Sequence, residues 1–145
     1  LIPVPLYFAY GANMDVVAMA KRCPRSNPIG PARLARHRLA AMREGWLTVV
    51  RDSRSSVHGV LFDLALADVA ALDRFEEVGG GLYVKATQPV ITAQGPKRAL
   101  VYLGANLGPE RLQAAYIRDV LAAARANEMP REGIAALERL AREAL

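Results

Sequence analysis

With 145 residues the chain is long enough for one domain, spanning 1–145, whose hydrophobic core needs no covalent staples. Its 52% hydrophobic and 23% charged content excludes a disordered chain, and the lone Cys23 excludes both an intramolecular disulfide and a four-cysteine zinc site. Lys and Arg outnumber Asp and Glu by 19 to 14, a balance of +5 that permits attraction to nucleic acid or anionic metabolites and specifies neither. No aromatic string or recognition-helix pattern accompanies the arginines, which are densest at Arg33, Arg36 and Arg38, so nucleic acid is not an expected partner. No apolar run approaches the roughly 18 residues of a membrane span, so no membrane is expected either.

Residues 1–10, LIPVPLYFAY, lack a basic segment followed by a long apolar one, which argues against a signal peptide and for a cytoplasmic protein. Residues 6–10 read as the first strand, with Gly11-Ala12-Asn13 as the turn after it. Asn13 is placed to cap a helix over 14–21, with Met14, Val17 and Ala18 on one face. A strand, a glycine turn and a helix N-terminus so close together gather unpaired backbone N–H groups, suited to a carboxylate or an oxyanion. Residues 32–42 suit a helix by propensity or a twisted edge strand by position, and the strand is preferred. Residues 47–51 and 57–64 read as strands joined by a polar hairpin turn at 52–56, with Gly59 marking a bulge or the close approach of another backbone. Residues 67–75 read as a helix burying Leu72 and Phe75.

That helix runs into LDRFEEVGGGLY, where Glu76 and Glu77 precede three consecutive glycines and Tyr83 opens the next strand. A carboxylate at a helix C-terminus opposes the helix dipole. It is either a solvated helix end or a proton carrier held at the rim of a cavity. Residues 83–91 form a strand interrupted by Pro89 near its end, and 98–104 the strand that carries Tyr102. Pro109 suits the first turn of a long helix reaching Ala126, and Pro130 opens the last helix. The apolar stripe of that helix, Ile134, Leu137, Leu140 and Ala141, packs on its own barrel or on a second subunit, so a homo-oligomer stays open. Strands early and helices late predict an α+β domain around a mixed or closed sheet, not a doubly wound fold.

Tyr10, Tyr83 and Tyr102 each have a core reading, with ring buried and hydroxyl on a partner; near Gly11–Asn13 and Glu76 they also have the reading of one shared pocket. Cys23 reads as a bystander, His58 as a structural hydrogen-bonding group and His37 as part of a solvated face. With only these two histidines, metal chemistry is poorly supplied. Arg43 and Arg51 are candidates for an anionic-substrate site that spacing alone does not distinguish from surface charge.

Tyr7-Phe8-Ala9-Tyr10-Gly11-Ala12-Asn13-Met14, then Val57-His58-Gly59-Val60, Leu72 to Val78 with Gly81-Leu82-Tyr83, and Val101-Tyr102-Leu103 together resemble the gamma-glutamylcyclotransferase superfamily, whose fold is AIG2-like or BtrG-like. The resemblance covers residues 6–104. It implies a small mixed β-barrel flanked by helices, and a transferase of acyl or cyclising lyase type that converts a γ-glutamyl amino acid or amine to 5-oxoproline and the free amine. It implies a small-molecule γ-glutamyl substrate, with no metal and no cofactor. Carried over position by position, Tyr10, Gly11, Ala12 and Asn13 bind substrate largely through backbone groups. Glu76, not Glu77, is the catalytic carboxylate, and Tyr83 and Tyr102 complete the substrate site. Ala12 stands where many members have serine, which leaves open a non-catalytic binding protein on the same scaffold.

Overall fold

A computed structural model describes residues 5–108 and 111–144. Among them, five strands close into a barrel in the order β1-β3-β2-β4-β5: β1 (Leu6–Ala9), β2 (Asn27–Ala41), β3 (Leu47–Asp63), β4 (Tyr83–Thr92) and β5 (Gly95–Gly104). Neighbouring strands run antiparallel except where β1 meets β5 in parallel at Tyr7 and Leu100, which closes the barrel and makes it mixed. Four helices surround it: α1 (Val16–Arg22), α2 (Val69–Phe75), α3 (Ala114–Ala126) and α4 (Arg131–Glu143). The mixed barrel with flanking helices is the architecture expected from the sequence.

The ambiguous second segment is a strand because pairing with β3 outweighs helix propensity. Ala32 and Leu34 are buried with period two; the register then slips between Ala35 and His37, where Arg36 takes a φ of +60°. That slip reverses the parity of the strand. His37 is therefore buried, not on a solvated face, with Nδ1 2.9 Å from the Ala35 carbonyl.

The expected hairpin turn at 52–56 is a second correction. Ala35 pairs with Ser56 and His37 with Arg51, so residues 52–55 bulge within one continuous strand. Their turn chemistry is real but local: Asp52 accepts from the Arg54 N–H at 3.1 Å and the Ser55 hydroxyl at 3.0 Å. The chain reverses instead after β2, where Met42 donates to the Trp46 carbonyl at 2.8 Å and Gly45 takes a φ of +89°. At Gly59 the close approach is observed, since an added Cβ would lie 2.3 Å from the Ala9 carbonyl oxygen.

Helix starts also differ. Asp15, not Asn13, caps α1 by accepting from the N–H groups of Val17 and Ala18 at 3.0 and 3.1 Å. The later start turns Val17 outward and buries Met19 in its place. α3 begins at Ala114; Pro109 and Glu110 lie outside the described residues, and the Gln113 N–H is held by the Gly45 carbonyl at 3.1 Å instead of opening a helix. β4 passes through Pro89, which pairs with Arg98, and continues to Thr92. α4 lays Leu137, Ile134, Leu140 and Ala141 against the core of its own chain.

Candidate functional site

A cavity of about 360 Å³ opens where the end of β1, the end of α2 and the start of β4 meet. All five tyrosines of the chain line it, although they come from separate elements: Tyr7 in β1, Tyr10 just after it, Tyr83 in β4, Tyr102 in β5 and Tyr116 in α3. Gly11, Ala12, Asn13 and Glu76 line the same space, so the structure brings together every residue that the family resemblance placed in the site.

The loop after β1 is a 3-10 turn, Ala12–Met14, whose only internal bonds are Met14 N–H to Gly11 O and Asp15 N–H to Ala12 O. The N–H groups of Gly11, Ala12 and Asn13 have no partner inside it. α2 ends in a Schellman-type turn, in which Val78 donates back to Asp73 O and Glu77 donates to Arg74 O. Glu77 takes the left-handed position, φ +51°, where glycine is usual, at a cost of about 1–2 kcal/mol. The turn separates the two carboxylates: Glu77 is exposed, while Glu76 is half-buried in the cavity wall.

Burial pushes the Glu76 carboxyl up to about 7, against the opposing pull of the Arg22 guanidinium. Glu77 is not among the causes. No described residue donates a hydrogen bond to the Glu76 carboxylate, so nothing in the described fold holds it ionised except that one cation.

Three of the five tyrosine hydroxyls spend their hydrogens on the protein. Tyr10 donates to the Tyr102 carbonyl at 2.5 Å, Tyr102 to Asp73 at 2.7 Å and Tyr83 to the Leu47 carbonyl at 2.7 Å. The Tyr10 and Tyr102 hydrogens are therefore not available to orient a substrate carbonyl. The Tyr7 oxygen accepts from Asn13 Nδ2 at 3.1 Å, and the Tyr116 oxygen from the Leu47 N–H at 3.3 Å. Burial, with the Glu76 charge adding to it, pushes all five phenols above their usual range, so they are neutral at physiological pH.

The cation of the site escaped sequence reasoning. Arg22, the last residue of α1, lies 3.8 Å over the Phe75 ring and donates to Asn13 Oδ1 at 2.5 Å. No described carboxylate lies within ion-pair distance of it. Arg43 and Arg51 do not line the cavity. Phe75, expected in the core, is 40% exposed and serves as the platform for Arg22. Trp46 packs edge-on against Tyr116 at 4.9 Å and forms another part of the wall. Nothing in the spacing of Tyr7, Arg22, Trp46 or Tyr116 marked them, because each arrives through tertiary packing. Cys23 is apart from this chemistry: it is buried, its thiol is pushed up to about 11, and it faces the Asp68 carbonyl. His58 sits 3.5 Å from Glu132 beside α4, away from the cavity.

A family model described as gamma-glutamyl cyclotransferase, AIG2-like, matches residues 7–119, which contain every residue of this wall. The chain belongs to the gamma-glutamyl cyclotransferase, AIG2-like family. Solved structures agree. A gamma-glutamyl cyclotransferase superposes with a TM-score of 0.86 at 25% identity, covering 92% of this chain and 86% of that one. An uncharacterised protein from Homo sapiens gives 0.84 at 25% identity over 92% and 85%. The fold alone is shared with a glutathione-specific cyclotransferase from yeast, at a TM-score of 0.60 and 11% identity over 97% and 96%. No curated protein sequence matches the chain. Family members act on small γ-glutamyl substrates, and among the described residues no helix is long and apolar enough to cross a membrane.

Proposed function

We propose that this chain is a cofactor-independent γ-glutamylcyclotransferase that closes a γ-glutamyl amino acid or amine to 5-oxoproline and releases the attached amine. The observation that carries the reading is the Glu76 carboxyl: half-buried, held by no hydrogen bond from a described residue, pushed up to about 7, and facing a cavity that also contains the Arg22 guanidinium. A carboxylate in that condition is matched to proton transfer near neutral pH.

In this reading the substrate's α-carboxylate lies between Arg22 and the N–H groups of Gly11, Ala12 and Asn13. This folds the glutamyl chain so that its amine approaches its own γ-carbonyl, and prearranged ring closure of this kind removes much of the entropic barrier. Glu76 takes the proton as the amine nitrogen bonds to the γ-carbon and the C=O π pair moves onto oxygen. The pair then returns, the bond to the leaving nitrogen breaks, and Glu76 delivers the proton to that nitrogen. Tyr10, Tyr83 and Tyr102, with their hydroxyls committed, shape the walls around the carboxyl. Ala12 contributes its backbone, so the missing serine hydroxyl leaves these contacts in place.

The test is release of 5-oxoproline from a panel of γ-glutamyl amino acids and amines, with wild type and Glu76→Gln run side by side. Wild-type turnover with a loss of about 10²–10⁴-fold in the folded variant is the expected result. Full activity in the variant sinks the assignment, and saturable binding without product from the wild type makes the chain a binding protein.

A further inference from the structure

Which group stabilises the charge that builds on the γ-carbonyl oxygen is decided by where the hydroxyl hydrogens around Glu76 are free. Three of the five are spent on Tyr102 O, Leu47 O and Asp73, which leaves Tyr7 and Tyr116. The orientation at Tyr7 follows from Arg22. A guanidinium only donates, so the Asn13 amide must turn its oxygen to Arg22 and its NH₂ group to the Tyr7 oxygen. The Tyr7 oxygen is thereby an acceptor, and its hydrogen points elsewhere. Nor is that hydrogen spent on the base, since Glu76 takes no hydrogen bond from a described residue.

The chain from Arg22 through Asn13 to Tyr7 starts at a full positive charge, and linked hydrogen bonds polarise one another. Tyr7 is thus the stronger donor of the two. Tyr116 receives only a neutral backbone N–H at 3.3 Å, and its oxygen lies 3.0 Å from where a Cβ on Gly11 would be, beside the loop assigned to the α-carboxylate. Tyr7 is also fixed in place: it is 3% exposed, with its ring stacked on Phe62 at 6.1 Å and edge-on to Tyr102 at 5.7 Å. A donor that does not reorganise as charge develops is what oxyanion stabilisation requires.

We propose that Tyr7, polarised by Arg22 through Asn13, is a catalytic residue that donates its hydroxyl hydrogen bond to the γ-carbonyl oxygen as that oxygen becomes an oxyanion. The inference rests on the cyclotransferase reading of the same cavity. The hydrogen stays on Tyr7 throughout; it is shared with the oxyanion while the tetrahedral centre exists and relaxes when the C=O bond reforms.

Tyr7→Phe keeps the ring and removes the donor. It is expected to slow turnover to 5-oxoproline by roughly 10²–10³-fold, with KM nearly unchanged. Tyr116→Phe is expected to act mainly on KM. Because Tyr7→Phe also strands the Asn13 amide, a second series replaces Tyr7 with mono- and difluorotyrosine, which keep that bond while making the phenol a stronger donor. A rise in kcat along this series supports the assignment, since a structural hydroxyl has no reason to follow phenol acidity. A flat series, or a folded Tyr7→Phe that keeps wild-type kcat, overturns it. A wild type that releases no 5-oxoproline overturns the underlying cyclotransferase reading and is told apart by that control alone.

Discussion

Replacing Glu76 with glutamine separates the carboxylate's charge from its shape, and the structure sets the sign and size of the effect on stability. Burial raises the carboxyl from 4.5 to about 7. The contribution of a group with such a raised value is fully present below about pH 4.5 and is lost as the pH rises through 7. At about 1.4 kcal/mol per pKa unit, the ionised side chain costs the fold roughly 2–3 kcal/mol at pH 8, the lower figure allowing for the water that reaches a half-buried group. In a chain of this size 1 kcal/mol moves Tm by about 2–4 °C. Glutamine, which fills the same space without charge, should therefore raise Tm by roughly 5 °C or more at pH 8. At pH 4.5 most of the difference should vanish, because the wild-type carboxyl is then neutral in the fold. Thermal melts followed by circular dichroism for both proteins at the two pH values measure it. An equal Tm difference at both pH values, or a variant less stable at pH 8, refutes the burial of this carboxyl as the source of its raised value. The expected combination of lost turnover and gained stability is the signature of a group placed for chemistry at the expense of the fold.

The wild-type pH profile of kcat/KM should show an acid limb that bends near 7 as Glu76 ionises, and Arg22→Gln should move that limb to higher pH, because the guanidinium is what lowers the carboxyl. The same variant should raise KM by roughly 10–100-fold through loss of a charged hydrogen bond to the substrate carboxylate; an unmoved limb and KM would remove Arg22 from the site. Gly59→Ala should destabilise the barrel by about 1–3 kcal/mol or more, since the new methyl meets the Ala9 carbonyl at 2.3 Å and the Phe8 ring at 2.8 Å, neither of which is a flexible side-chain end. Chemical denaturation measures this, and a neutral result would contradict the observed β1–β3 packing.

What lay in the sequence was what neighbouring residues decide among themselves. The glycine turn after β1, the carboxylate pair before three glycines and the proline that opens α4 are short-range signals, and they put Gly11–Asn13 and Glu76 at element ends before any fold was known. The same locality misled at residues 52–56, where turn-forming side chains bond one another without reversing the chain, and at Asn13, whose amide serves Arg22 and Tyr7 while Asp15 caps the helix. Register escaped as well, since one irregularity near Arg36 was enough to carry His37 from the surface to the interior.

The cavity itself was decided by closure of the barrel. The Tyr10 hydroxyl meets a carbonyl 92 residues away and Tyr116 meets a backbone N–H 69 residues away, distances over which local propensity carries no information. Only the parallel contact of β1 with β5, together with the docking of α3 near the reversal between β2 and β3, brings five tyrosines and Arg22 around one carboxyl. Glu76 could be named from the sequence as a carboxylate at the end of a helix. The rise of its carboxyl to about 7 comes from burial, and burial is a property of the assembled fold.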